Sequence, residues 1–381
     1  MLTSDGRVRA FGAESEPPIV TDRAAETVDH GDAVILPGLV NAHTHLELSW
    51  MRNRVPPGDS MPAWAARLLA LRRTVSSEPA EPIHDAVREM RAGGTSLVGD
   101  VTNTLAAYDV LADSALAGAV FRELLGFNMR DPAQAIATTQ AQLDALPPIE
   151  RLRPSIVPHA PYSVSPELFR AIARAAGDKP VSVHLAESPD ELRFLQDGTG
   201  AWRELLGQLG VWNDAWRPPA CGPVEYLEQL GLVTSHLLAV HCAHVEDDDL
   251  ARLARAGSTI VACPRSNKWT GAGTPPIERF FASGARVAIG TDSLASVEDL
   301  NMFAEMAEVR RLAPAVPASR IIAAATVEGA AALGFAEGFG TIEPGKRADL
   351  IAVRVRPGLE DVEEYLVSGI EPDRIRWLDT T

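Results

Sequence analysis

Short apolar runs recur along the chain, each ending abruptly in polar residues, with stretches of helical spacing between them. The runs are ILPGLVNAHTH (35–45), TSLVGDVT (95–102), AVFRELLGF (119–127), LRPSIVPHAP (152–161), PVSVHLAES (180–188), LLAVHCAHV (237–245), STIVACPRSN (258–267) and RVAIGTDS (286–293). Continuous hydrophobicity over so few residues is the pattern of strands covered on both faces. Between them Met61–Ser77, Leu105–Leu116, Ala133–Ala145, Pro166–Ala176, Asp247–Ala256 and Val297–Arg311 read as amphipathic helices. Ser165 before Pro166 reads as an N-cap followed by proline at the first helical position. Eight strands alternating with helices predict an α/β fold, a parallel (β/α)8 TIM barrel. A doubly wound open sheet is the competing arrangement, although the GxGxxG fingerprint it often carries is absent.

The flanks follow another pattern. Residues 1–34 and 338–381 contain DGRVRAFG, TIEPGKRADLIAVRV and DRIRWLDT, which read as short strands and turns. They are expected to pair into a small β-sandwich beside a catalytic barrel at 35–337.

Composition narrows the class. Of 381 residues 46% are hydrophobic and 23% charged, enough for a large core. There are 51 acidic against 35 basic residues, a net charge of −16, which argues against nucleic acid as a partner. The first residues lack the apolar segment of a signal peptide, and no apolar run approaches the ~18–20 residues of a membrane span. The expectation is a cytoplasmic protein with a small-molecule substrate and no membrane partner. Cys221, Cys242 and Cys263 are too widely spaced for a disulfide framework or a CxxC knuckle.

In a barrel of this kind, catalytic residues gather at the C-terminal ends of the strands. The runs end in His43-Thr44-His45, Asp100, His159, His184 with Glu187, His241 with His244, Arg265-Ser266-Asn267 and Asp292, and Glu123 lies in the third. Residues two apart on a strand point to one face, so His43 and His45 converge. Two imidazoles joined by a third and a carboxylate suit a metal and leave a position open for water. Ser266 and Ser293 lack a GxSxG elbow. Asp100 is read either as a bond to a loop amide or as a substrate contact, and Glu123 either as a satisfied buried acid or as a polar group of the pocket.

In order along the chain, GLVNAHTHLELS, HAPYSVS, SVHLAES, VHCAHV, CPRSN and GTDS, with a closing EPGKRADLIAV, resemble the amidohydrolase superfamily. The branch they look like is that of the deaminases and chlorohydrolases, which includes cytosine, guanine and S-adenosylhomocysteine deaminases. Glu47, two residues past the second histidine, is similar to the aminodeoxyfutalosine deaminase group of menaquinone biosynthesis. The resemblance implies that His43, His45, His184 and Asp292 bind a divalent metal, zinc first and iron second. It makes Glu187 the proton shuttle and His241, rather than His244, the histidine facing the water, with Asp292 sharing that work. His159 falls on the substrate side. Binuclear members carry a carboxylated lysine on the fourth strand. Here that strand end holds His159, and the three lysines (Lys179, Lys268, Lys346) lie elsewhere, so one metal is expected.

The implied activity is hydrolytic deamination of an aminopurine nucleoside such as 6-aminodeoxyfutalosine. The alternatives are removal of chloride or an alkylamine from a triazine or pyrimidine ring, and deamination of another base. Glu47 and Glu123 are expected to accept hydrogen bonds from substrate, and Arg265 to bind a benzoate on it. The long connection 188–236, with Trp202, Trp212 and Trp216, is expected to cover the site. A homodimer is expected, and the N-terminus reads as starting at the second strand of the sandwich.

Overall fold

The computed structural model describes residues 1–12, 28–77 and 79–378, so part of the N-terminal flank, 13–27, lies outside the described residues. Strands β1 (Leu2–Ser4), β2 (Arg7–Ala10) and β3 (Ala33–Pro37) come from that flank. The body supplies β4 (Leu39–Thr44), β5 (Thr95–Thr102), β6 (Ala117–Leu124), β7 (Leu152–Pro158), β8 (Val181–Leu185), β9 (Leu237–His241), β10 (Thr259–Ala262) and β11 (Arg286–Ile289). The C-terminal flank adds β12 (Leu350–Arg354) and β13 (Ile375–Trp377).

The eight central strands pair in parallel, in chain order, as two arcs, β4 to β7 and β8 to β11. Both seams are bridged. The His184 amide donates to the His159 carbonyl at 3.0 Å, and the Asp292 amide donates to the His43 carbonyl at 3.0 Å. The sheet therefore closes into a (β/α)8 barrel, and the open doubly wound alternative falls. Burial explains the closure: β4, β5, β8, β9 and β10 are buried along their whole length, as strands covered on both faces must be. Helices supply the outer cover. Pro166–Ala176 starts where Ser165 Oγ accepts from the Leu168 amide, and it buries Leu168, Phe169 and Ile172 against the barrel. Each such side chain contributes ~1.5–3 kcal/mol.

The flanks build an antiparallel sheet in the order β13-β12-β3, and the β1–β2 hairpin is tied to residues 345–348 by backbone hydrogen bonds. The first apolar run is divided between the two units. Ile35–Pro37 pair with β12, whereas Leu39–Thr44 enter the barrel. The chain turns between them at Gly38, where an added Cβ would lie 2.5 Å from Ser96 Cβ and 3.0 Å from the Trp377 ring.

The seventh run also differs from its sequence reading. Its strand ends at Ala262, and Pro264–Thr270 is a short helix with proline at its first position, where a missing N–H costs nothing. Among the described residues no helix is long and apolar enough to cross a membrane. The cysteines are free, and Cys242 and Cys263 are packed in the core.

Candidate active site and metal centre

The C-terminal ends of β4, β8 and β11 bring three imidazoles and a carboxylate to one point. His45 Nε2 lies 3.2 Å from His184 Nε2. Asp292 Oδ1 lies 3.5 Å from His45 Nε2 and 3.8 Å from His43 Nε2. One ring nitrogen from each of His43, His45 and His184 lies within 4.8 Å of the other two. Both ring nitrogens of His43 are buried without a hydrogen-bond partner. Burial drives the pKa of His43 well down and that of His184 to about 3, so both present neutral lone pairs. Converging, uncharged, unpaired nitrogens beside a carboxylate oxygen are the arrangement that a divalent cation resolves.

The ligand side chains are held from behind. His184 Nδ1 is 3.1 Å from the His159 carbonyl, which directs Nε2 inward. Asp292 Oδ2 accepts from Ser266 Oγ at 2.5 Å and from Ser296 Oγ at 3.0 Å, leaving Oδ1 for the cage. Gly290 lets β11 pass close to β4, since a Cβ there would sit 2.8 Å from the His43 backbone nitrogen and oxygen. The strand ends are strained. Ala186, His241, Cys242 and Asp292 have φ of +49°, +72°, +49° and +63°. Left-handed backbone at such residues costs ~1–2 kcal/mol each, and it turns the side chains after each strand toward the mouth.

Beside the cage, Glu187 is 2% exposed, with Oε1 3.5 Å from His241 Nε2 and Oε2 unpartnered. Burial raises its pKa well above the usual range, and the nearby Asp292 and Glu191 add to the rise. Glu191 fixes the turn, accepting from the Ala186 and Glu187 amides at 2.8 and 3.0 Å. His241 Nδ1 lies 3.3 Å from Asn267 Nδ2, and burial lowers its pKa to about 3. His244 instead faces the Ala272 carbonyl at 2.6 Å and lies outside the cavity lining.

A cavity of about 450 Å³ opens onto these groups. His159 and Glu123 line it. His159 Nδ1 is 2.6 Å from Ser163 Oγ, and burial lowers its pKa to about 3. Glu123 Oε2 accepts from Asn103 Nδ2 at 2.8 Å, and its buried Oε1 has no hydrogen-bond partner. The 188–236 connection contributes Trp202, Leu205 and Val211 to the wall, with Trp202 stacked on Tyr162 at 3.7 Å between centroids. Trp212 and Trp216 pack on Phe127 and Phe194, away from the lining.

Two sequence expectations change here, for Glu47 and Arg265, and one open alternative is decided, for Asp100. Glu47 does not line the cavity. Its carboxylate accepts from Arg72 Nη2, Thr102 Oγ1 and Thr104 Oγ1, each at 2.7 Å, and from the Asn103 and Thr104 amides at 3.0 Å. Burial alone would raise its pKa, but Arg72 and these bonds outweigh it and hold the acid ionised. Asp100 is a loop-amide acceptor, taking the Leu46 amide at 2.9 Å. Arg265 is also outside the lining, because the Pro264–Thr270 helix carries it outward to Asp299 at 2.8 Å and Glu305 at 3.8 Å.

The Arg265 cluster predicts a pH effect. Burial pushes the Glu305 carboxyl up to about 8, with Arg265 opposing. The folded chain thus holds this proton more tightly than the unfolded chain, where glutamate titrates near ~4.3. The resulting stability is fully present below ~4.3 and is lost as pH rises through about 8. Between about pH 5 and pH 8.5 the wild type is expected to lose roughly 4 kcal/mol more than Glu305→Gln in urea unfolding. Parallel pH dependences would show that the carboxyl titrates normally.

Sequence reasoning missed Glu191, Ser296, Asn103 and Arg72. Only Glu191 carried a clear signal, an acid three residues after the Ser188 cap.

Known proteins share this arrangement of chain. The amidohydrolase family pattern matches residues 34–371. An aminodeoxyfutalosine deaminase of Deinococcus radiodurans is 34% identical over 334 residues, 84% of this chain and 78% of its own. A 5-methylthioadenosine/S-adenosylhomocysteine deaminase of Moorella thermoacetica is 31% identical over 91% of this chain and 80% of its own. The crystal structure of an adenosine deaminase from Xanthomonas campestris, with bound zinc, superposes with a TM-score of 0.77 at 28% identity, over 90% of this chain and 78% of that one. The chain belongs to the amidohydrolase family, as one of its hydrolytic deaminases.

Proposed function

We propose that this enzyme removes the exocyclic amine of an adenine-type nucleoside, of which 6-aminodeoxyfutalosine is the first candidate, using one divalent ion, zinc before iron. The observation that carries the reading is the buried, proton-holding Glu187 beside the cage of His43, His45, His184 and Asp292. A divalent ion there acts as a Lewis acid and lowers the pKa of water toward ~7. The family binds such an ion, and one ion fits because His184 turns Nδ1 to the His159 carbonyl and has only Nε2 to offer, while no lysine lines the cavity.

The chain's own groups divide the proton traffic. Asp292 and His241 take up the proton of the attacking water. Glu187 gives its proton to the ring nitrogen next to the amine-bearing carbon, so no negative charge accumulates as the C–O bond forms. As a carboxylate it then takes the proton of the new C–OH and passes it to the amine. The C–N bond breaks with release of ammonia and the oxo product, and the proton held by Asp292 and His241 returns to Glu187. Glu123 Oε1, buried without a hydrogen bond and 3.5 Å from His184 Nδ1, is placed to accept from a substrate hydroxyl, and His159 to contact the ring. The support for the substrate class is the similarity to deaminases of adenosine-like compounds.

The test is a panel of 6-aminodeoxyfutalosine, adenosine, 5-methylthioadenosine, S-adenosylhomocysteine, guanine and cytosine, read by ammonia release, with a chlorotriazine read by chloride. Ammonia from the purine nucleosides is the expected result. Chloride release without deamination of any nucleoside would overturn it.

A further inference from the structure

The imidazole of His241 is held at one nitrogen only. Its Nε2 lies 3.5 Å from Glu187 Oε1 and has no hydrogen-bond partner. Its Nδ1 meets the side-chain amide of Asn267, with Nδ2 placed at 3.3 Å and with Oδ1 buried and nothing to accept from. Among the described residues that amide is the one group hydrogen-bonded to either ring nitrogen. Asn267 is 0% exposed and lies outside the lining of the main cavity. It belongs to the Pro264–Thr270 helix, where its backbone amide donates to the Cys263 carbonyl at 3.0 Å and its carbonyl accepts from the Ala272 amide at 3.0 Å. The backbone is thus pinned on both sides of the residue, and the side chain is fixed against the ring.

A neutral imidazole carries one N–H and one lone pair, and the bond made at one nitrogen decides which of them the other presents. The two ends of a side-chain amide have the same outline, so hydrogen bonding decides which end faces a partner. With the amide nitrogen toward the ring, Nδ1 accepts and the hydrogen is forced onto Nε2, where His241 can then take no proton. With the two ends exchanged, Oδ1 gains a donor in Nδ1–H, and Nε2 turns its lone pair toward the water. We infer that Asn267 presents Oδ1 to His241, accepts from Nδ1–H, and so fixes the tautomer in which Nε2 is the base. The transfer breaks an O–H bond of the water and forms Nε2–H. It leaves an imidazolium whose Nδ1–H the amide oxygen holds more strongly than before. Asn267 is a positioning residue, since it acts through His241 and has no place in the cavity wall. The inference rests on the deaminase reading for the task of the base.

Two variants of nearly the same size separate the alternatives, because an ionised aspartate can only accept and leucine can do neither. Both are measured as metal-loaded enzyme on a nucleoside that the wild type deaminates, with bound metal and thermal midpoint followed in parallel. Asn267→Leu is expected to lower kcat about ten- to a hundredfold and to leave KM within about twofold. Asn267→Asp should remain within about threefold of wild type, a rescue that filling space alone does not explain. The tautomer itself is read by nitrogen NMR of wild type labelled at its histidines, with the His241 signals identified by their loss in His241→Gln. A proton on Nδ1 and none on Nε2 is the expected spectrum. A proton on Nε2, a loss in Asn267→Asp equal to that in Asn267→Leu, or wild-type kcat in Asn267→Leu would overturn the inference and leave the deaminase reading intact. If Asn267→Leu does not fold, Asn267→Asp and the spectrum decide. If the wild type deaminates no nucleoside, the deaminase reading falls, and the spectrum, which needs no substrate, settles the tautomer by itself.

Discussion

Glu187→Gln is expected to keep its metal and its fold and to lose roughly 10²–10⁴-fold in kcat, with KM little changed. The reason is the difference between shape and proton. Glutamine fills the same volume beside His241 and can still donate a hydrogen bond, but it cannot surrender a proton to a ring nitrogen and carry it on to the departing amine. The wild-type carboxyl is suited to that work because burial holds its proton, with Asp292 and Glu191 contributing in the same direction. The same raised pKa makes the active form the protonated one, so wild-type kcat should fall as pH rises through the Glu187 pKa. The residual activity of Glu187→Gln should not follow that fall. Metal analysis alongside the rate measurement separates loss of chemistry from loss of the ion. A Glu187→Gln enzyme with near-normal kcat on every substrate would remove Glu187 from the proton path.

The fold was legible because each barrel strand is a short, largely apolar run with a polar end, and the period of two at the end of β4 aims His43 and His45 together. Those signals are local. Arg265 failed as a substrate contact because Pro264 converts the strand end into a helix, where successive side chains rotate by ~100° instead of alternating. That rotation delivers the guanidinium to Asp299 and Glu305. Glu47 failed for another reason. Its partners at 102–104 lie at the end of the next strand and in the loop after it, and no pattern near Glu47 announces that they will saturate it. Arg72 falls inside the Met61–Ser77 segment, and nothing in that segment marks it as a cavity residue. Only the packing of Met61–Arg72 against Ala201–Gln208 shows that the end of this helix forms the mouth of the cavity. Contacts made across sequence-distant elements decide which polar residues face substrate, and single-sequence periodicity carries no record of them.

Metal retention should grade with how directly each residue holds the cage. Wild type is expected to keep one divalent ion per chain through gel filtration, predominantly zinc, as a three-nitrogen, one-carboxylate set favours. His184→Ala removes one of the three nitrogens and should leave the ion to dilution, with activity lost in parallel. Ser296→Ala is the subtler test. Ser296 touches none of the histidines, but its hydroxyl and that of Ser266 both hold Asp292 Oδ2, at 3.0 and 2.5 Å, on a residue whose backbone sits at φ +63°. Removing one hydroxyl frees the carboxylate to rotate away from His45 and lets the strained turn relax. Loss of a group that orients a ligand typically costs ~10–100-fold in metal affinity. Ser296→Ala should therefore lose its ion to a chelator at concentrations that spare the wild type, yet be restored by excess zinc. The readout is bound metal against free chelator, with unfolding followed separately. Two ions per chain in the wild type would sink the single-ion site. An ion held by His184→Ala as tightly as by wild type would move the metal elsewhere. Wild-type affinity in Ser296→Ala would mean that Ser266 alone fixes Asp292.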